Sequence, residues 1–218
     1  MDFITPLRIS LTQKFPQKFS MSQKKLFMLL LGCRPKGRFT EQHDIFFGIA
    51  GNIRDLITEI KQSWPEAKGN IHIDAWRAVT SVNNCKISIL ENNVQLKQPV
   101  SQGSDLRLFF VNLGGYKDDE FDEFHYKVLV AAKDMKIAQR AAMNTTFFKH
   151  YSISQIGIHK KATAHIDDKY GIDVDEIYPV TDILSPSQKA AYSIVITQTD
   201  EPEDAMNLGY LKLADLET

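Results

Sequence analysis

Cysteine is scarce in this chain: there are two in 218 residues, Cys33 and Cys85, with no C-x-x-C spacing. That excludes a disulfide framework and gives no thiolate zinc or redox motif, so a reducing, cytoplasmic setting is expected. An excess of one charge is also missing. With 26 basic and 27 acidic side chains the formal net charge is -1, and no global field draws in nucleic acid or an anionic membrane. No apolar run approaches the roughly 18 residues of a membrane span. The glycines form neither G-x-G-x-x-G nor a phosphate loop; Gly32, Gly37, Gly114 and Gly115 read as turn glycines. No G-x-S-x-G is present, so nucleophilic catalysis has no positive support. The acidic stretch Asp118-Asp119-Glu120, with Asp122 and Glu123, lacks calcium-loop spacing and reads as a solvated loop. What the chain does have is 43% hydrophobic residues, enough for a folded core in one large domain or two small ones.

The main signal is an internal repeat. Leu26-Phe27 falls on Leu108-Phe109, Leu31-Gly32 on Leu113-Gly114, Phe39 on Phe121, Glu41 on Glu123, His43 on His125 and Ala50 on Ala132, all 82 residues apart. Eight identities fall in the 25 positions from 26 to 50, where ordinary composition gives about one or two by chance. Asn70-Ile71-His72-Ile73-Asp74 then aligns with Thr163-Ala164-His165-Ile166-Asp167 at an offset of 93, which puts an 11-residue insertion in the second copy. The repeat also removes a trap. Lys24-Lys25 followed by Leu26 to Leu31 and then Gly32-Cys33 resembles a lipoprotein signal, but six apolar residues are short of an h-region of about 7–15. The mid-chain counterpart cannot be a signal, and Cys33 corresponds to Gly115. Leu26 to Leu31 therefore reads as a buried strand.

Each copy reads as strand, loop, strand, helix and a strand-rich tail. Leu26–Leu31 and Leu108–Leu113 are apolar on both faces, as central strands are. Polar loops follow at 32–37 and 114–119, then strands from His43 to Ala50 and from His125 to Ala132. Asn52 and Asp134 are N-caps for helices with apolar stripes at Ile53, Leu56, Ile57, Ile60 and Trp64, and at Met135, Ala138, Ala142 and Met143. Pro65 and Gly69 close the first helix. In the tails, Asn83-Asn84 signals a hairpin before Cys85–Leu90; Glu176–Leu184 reads as a strand, Ser185-Pro186-Ser187 as a turn, and Tyr192–Thr197 as a strand. Trp64 and Trp76 read as core residues. The expected fold is α+β, with two homologous strand-strand-helix-strand units, mainly antiparallel sheets, packed as a pseudo-two-fold intrachain dimer. The segments are an N-terminal extension at 1–22 with Met21 as an alternative start, a first repeat at 23–92, a junction at 93–106 and a second repeat at 107–218.

Four of the 6 histidines fall at repeated positions beside acids. Residues two apart on a strand share a face, so Glu41 and His43, His72 and Asp74, Glu123 and His125, and His165 and Asp167 each point the same way. Imidazoles and carboxylates together suit a divalent metal, with Glu41, His43, His72 and Asp74 as its ligands, or a general acid–base pair. They equally suit His–carboxylate hydrogen bonds that pin loop to strand.

The pattern Leu31-Gly32, Glu41-Gln42-His43-Asp44-Ile45-Phe46-Phe47-Gly48, a helix ending in Trp64, then His72-Ile73-Asp74-Ala75-Trp76 resembles the bacterial domain of unknown function 1543. That resemblance implies one or two copies per chain, covering nearly all of residues 25 to 218, and adds Asp44 to the candidate site. Copy two departs from it: Tyr126 stands for Asp44, and Asp168-Lys169-Tyr170 follows the His165 block. The family carries no activity. The leading expectation is a module that binds a small molecule or protein; the alternatives are a metal-dependent enzyme and purely structural pairs. No motif requires a cofactor, a divalent metal is compatible, a homo-oligomer stays open, and neither nucleic acid nor membrane is expected as a partner.

Overall fold

The computed structural model describes residues 23–92, 105–116, 121–144 and 172–217. The N-terminal extension with Met21, most of the 93–106 junction, and His165 and Asp167 lie outside the described residues.

The alternation-free apolar run becomes β1 (Lys25–Cys33), which turns back as β2 (Gln42–Ala50). Asn52 caps the next turn through its side chain, with Asp55 returning the bond to the cap backbone. A short 3-10 segment then leads into α1 (Ile57–Ser63), closed by Pro65 and a left-handed Lys68-Gly69. β3 (His72–Val79), β4 (Ser81–Val82) and β5 (Cys85–Glu91) follow. Asn83 and Asn84, both at positive φ, make the β4–β5 hairpin turn. After the junction come β6 (Arg107–Tyr116), β7 (Glu123–Ala132), α2 (Met135–Met143) capped by Asp134, and β8 (Ile172–Pro179). Two short helices, α3 (Val180–Ile183) and α4 (Pro186–Ala191), precede β9 (Tyr192–Gln198), β10 (Asn207–Lys212) and α5 (Leu213–Glu217).

The architecture is α+β, with antiparallel pairing throughout the three described sheets: β10-β3-β1-β2, β7-β6-β8 and β4-β5-β9. Leu26, Met28, Phe47 and Ile49 of the first hairpin pack against Leu108, Phe110, Leu129 and Ala131 of the second, with Phe47 edge-on to Phe110 at 5.7 Å. The outer face of β1 is covered by Leu56 and Ile60, and that of β6 by Ala138 and Ala142. The result is helix, sheet, sheet, helix, because both faces of β1 and β6 are apolar and each needs a cover. Trp64 and Trp76 pack, half-buried, against the first outer core. No helix among the described residues is long and apolar enough to cross a membrane.

Several sequence expectations need correction. The strands run on through Gly32-Cys33 and Gly114-Gly115-Tyr116, so Gly32, Gly114 and Gly115 are strand residues and not turn glycines. The strand expected over Glu176–Leu184 ends at Pro179, and Val180–Ile183 is helical. Ser185-Pro186-Ser187 is a helix start: the Ser185 hydroxyl accepts from the Gln188 amide and Pro186 occupies the first turn. Pairing also crosses the line between the two segments. β9 pairs with β5, and β10 pairs with β3.

Candidate functional site

Three adjacent strands meet in one row at the end of the first hairpin. Gly32 on β1 stands opposite His43 on β2 and opposite His72 on β3. The His72 imidazole and the Asp74 carboxylate lean over the glycine. A Cβ at position 32 would lie 2.3 Å from His72 Nε2 and 2.6 Å from Asp74 Oδ2, so only glycine leaves room there. The register of β1 against β3 shifts between Leu30 and Leu31, whose partners are Ala75 and Ile73. Asp74 is therefore the extra residue of a bulge, a device that re-aims a side chain at a site. Glu41, two residues before His43, completes the group.

The four side chains form a closed ring in which each imidazole faces both carboxylates. His72 Nε2 lies 3.2 Å from Glu41 Oε1 and 3.3 Å from Asp74 Oδ1. His43 Nε2 lies 3.3 Å from Asp74 Oδ2 and 3.8 Å from Glu41 Oε2. His72 is buried, whereas His43 and Glu41 are about half exposed. The buried atoms His72 Nε2 and Asp74 Oδ2 have no hydrogen-bond partner despite these neighbours. Buried polar atoms without a well-formed hydrogen bond are costly, so this pair marks the ring as a place where a further partner is stabilising. Tyr210, carried by the β10 bulge, lies against the His72 ring, tilted, with centroids 4.3 Å apart.

The second hairpin repeats the row. Gly114 stands opposite His125 on β7 and opposite Asp173 on β8, and the β6–β8 register shifts between Asn112 and Leu113, leaving Asp175 in the bulge. His125 Nε2 lies 3.2 Å from Asp175 Oδ2 and 4.0 Å from Glu123 Oε2. A Cβ on Gly114 would meet Asp175 Oδ2 at 2.3 Å. The carboxylate facing His125 is thus Asp175, which the alignment of 70–74 with 163–167 missed. Asp173-Val174-Asp175 against His72-Ile73-Asp74 was the signal, at an offset of 101. Tyr210, and the two glycines as clearance for imidazole and carboxylate, were missed as well.

Both groups open on one cleft of about 670 Å³, lined by Glu41, His43, Glu123 and His125 with Asn112 and Lys127 between them. Asp44 also lines it but stands apart from the imidazoles; its Oδ1 accepts from the Ile45 amide at 2.7 Å. Burial pushes the Lys127 amine below its ordinary pKa, and Glu176 and Asp44 oppose that shift. Cys33 is buried, and its thiol is pushed up by burial and then by Glu41, so it remains a protonated core group.

Residues 38–89, which hold Glu41, His43, His72 and Asp74, match the family model described as Domain of Unknown Function (DUF1543). No curated protein shows a significant match. Among solved structures, the chain is similar to the crystal structure of a protein Il1583 from Idiomarina loihiensis, with a TM-score of 0.52 and 16% identity over 87% of this chain and 97% of that one. At that identity the likeness is one of fold.

Proposed function

We propose that the protein binds a divalent transition metal through Glu41, His43, His72 and Asp74 and presents it to a small ligand in the cleft between the two hairpins. The ring of donors carries this reading. Tetrahedral zinc with bonds of about 2.0–2.1 Å places its ligand atoms about 3.3–3.4 Å apart. Three of the four imidazole–carboxylate separations are 3.2–3.3 Å, with each imidazole meeting its own oxygen of Asp74 and of Glu41, so binding draws one oxygen of each carboxylate inward onto the metal. A metal at the centre would satisfy both orphaned atoms at once. Two imidazoles with two carboxylates suit zinc and its first-row neighbours. Since Glu41 and His43 line the cleft, the solvent side of the metal opens there. A bound metal at such a position supplies Lewis acidity to whatever enters. Binding is the primary role in this reading, and catalysis is its extension.

The same reading takes the chain as two copies of one unit in a pseudo-two-fold arrangement. Every β1–β2 pair recurs 82 residues on in β6–β7. A reciprocal clasp supports it too. Gln188 from the second half accepts from the Ile49 amide at 2.9 Å and donates to the Ile49 carbonyl at 3.3 Å. Asn83 from the first half accepts from the Ala131 amide at 2.8 Å and donates to the Ala131 carbonyl at 3.4 Å. Ile49 and Ala131 are themselves 82 apart. The free, buried cysteines fit a reducing cytoplasm.

Elemental analysis of protein purified without an affinity tag tests the proposal. One equivalent of zinc or a neighbouring metal is expected, with a rise in Tm on reloading stripped protein. No stoichiometric metal and no metal-dependent Tm would sink it.

A further inference from the structure

The second row of donors is not a worn copy of the first. We propose that Glu123, His125 and Asp175 form a second cation site, of harder character, which takes Mn²⁺ or Mg²⁺ while the first takes zinc. This rests on the reading of the first site only for the contrast in metal, since its ligands are separate.

One ligand atom from each of Glu123, His125 and Asp175 can be chosen so that all lie within 4.8 Å of one another. The approach of Asp175 to His125 at 3.2 Å matches that of Asp74 to His43 at 3.3 Å. The supporting backbone is the same as well: a glycine that clears the space and a bulge that aims the aspartate. The donor chemistry differs. Where the first row has His72, the second has Asp173, which offers no imidazole. One nitrogen with two carboxylate oxygens, open to water, suits a cation that keeps several water ligands. Asn112, two residues before Gly114 and lining the same cleft, has a buried Oδ1 without a hydrogen-bond partner. Its amide nitrogen donates to Glu176 Oε2 at 2.7 Å.

Charge points the same way. Glu41, Asp44, Glu123 and Glu176 line the cleft, and Asp74 and Asp175 lie against its histidines, with Lys127 as the one amine among the described lining residues. Six carboxylates against one amine leave the cleft with an excess of negative charge. Two divalent cations nearly neutralise them, whereas one leaves a clear excess at the second hairpin.

The test is a Mn²⁺ titration of the full chain, stripped by chelator and then loaded with one equivalent of zinc, read by loss of the free Mn²⁺ electron paramagnetic resonance signal. One equivalent of Mn²⁺ is expected to bind. His125→Ala and Glu123→Gln should each weaken it at least tenfold and leave the zinc equivalent in place. Glu123 is partly exposed, so its variant keeps the protein folded. His72→Ala should remove zinc and leave Mn²⁺. No Mn²⁺ binding to the zinc-loaded chain, or binding indifferent to both second-row variants, overturns the proposal. Failure of zinc to bind, with Mn²⁺ still lost in His125→Ala, would refute the first site alone.

Discussion

Replacing Gly32 by alanine separates a metal site from an ordinary packed strand. The added Cβ would stand 2.3 Å from His72 Nε2 and 2.6 Å from Asp74 Oδ2, where carbon contacts prefer about 3.5–4.0 Å. The imidazole must therefore retreat by about 1 Å, while metal–ligand distances tolerate only about ±0.2 Å. Overpacking costs about 1–3 kcal/mol, or a Tm drop of roughly 2–4 °C per kcal/mol for a chain of this size. Metal affinity should fall by at least the roughly 10–100-fold seen when ligands are merely misoriented. Gly48→Ala is the control. Its Cβ would meet Leu56 Cδ2 at 2.7 Å and Phe46 Cε1 at 2.8 Å, away from the imidazoles. Calorimetric zinc titration of both variants, with Tm measured alongside, should show similar loss of stability but loss of zinc only in Gly32→Ala. Equal zinc affinity in the two would refute the argument that the glycine clears space for ligands.

Other expectations follow from the same contacts. Gln188→Ala strips the buried Ile49 amide and carbonyl of their partner and should cost about 1–3 kcal/mol in urea melts; a neutral result would dismiss the clasp. His43→Ala and His125→Ala remove half-exposed side chains, so the metal-free protein should lose less than about 1 kcal/mol from each; a larger loss would favour pinning over metal binding. Burial raises the Glu59 carboxyl above its ordinary range, and the Gln188 hydrogen bond opposes that. The folded chain then holds this proton more tightly than the unfolded one, so Glu59 favours folding at acid pH and that contribution is lost as pH rises through its folded pKa. Between about pH 4 and 6, Tm should therefore fall less, or climb more, with rising pH in Glu59→Gln than in the parent; identical slopes would refute this. Cys33 and Cys85, both buried with thiols pushed up by burial, should stay unreactive to a thiol reagent until the chain unfolds; rapid modification of the native protein would contradict their placement.

Much of this was legible in the sequence. The hairpins β1–β2 and β6–β7 were visible because runs apolar on both faces recur with glutamate and histidine at fixed distance. The helices were visible because Asn52 and Asp134 cap amphipathic stripes. Glu41, His43, His72 and Asp74 were grouped by period-two reasoning, although Asp74 reaches its neighbours from a bulge, which that rule does not contain. The rest depends on pairing between distant strands. Asp175 could not be found by aligning histidines, because Asp173 stands in the row position of His72. Gly32 looked like a turn because its constraint comes from His72 and Asp74, some 40 residues away in the chain. Tyr210 reaches His72 only through the pairing of β10 with β3, which no local pattern signals.

The central claim is that two imidazoles and two carboxylates surround one metal. Anomalous diffraction at the zinc edge, from crystals grown with zinc after chelator treatment, tests it most directly. The account predicts a single strong peak about 2.0–2.2 Å from the Nε2 atoms of His43 and His72 and from oxygens of Glu41 and Asp74. Density without a peak there, with the imidazoles hydrogen-bonded directly to the carboxylates, would contradict it.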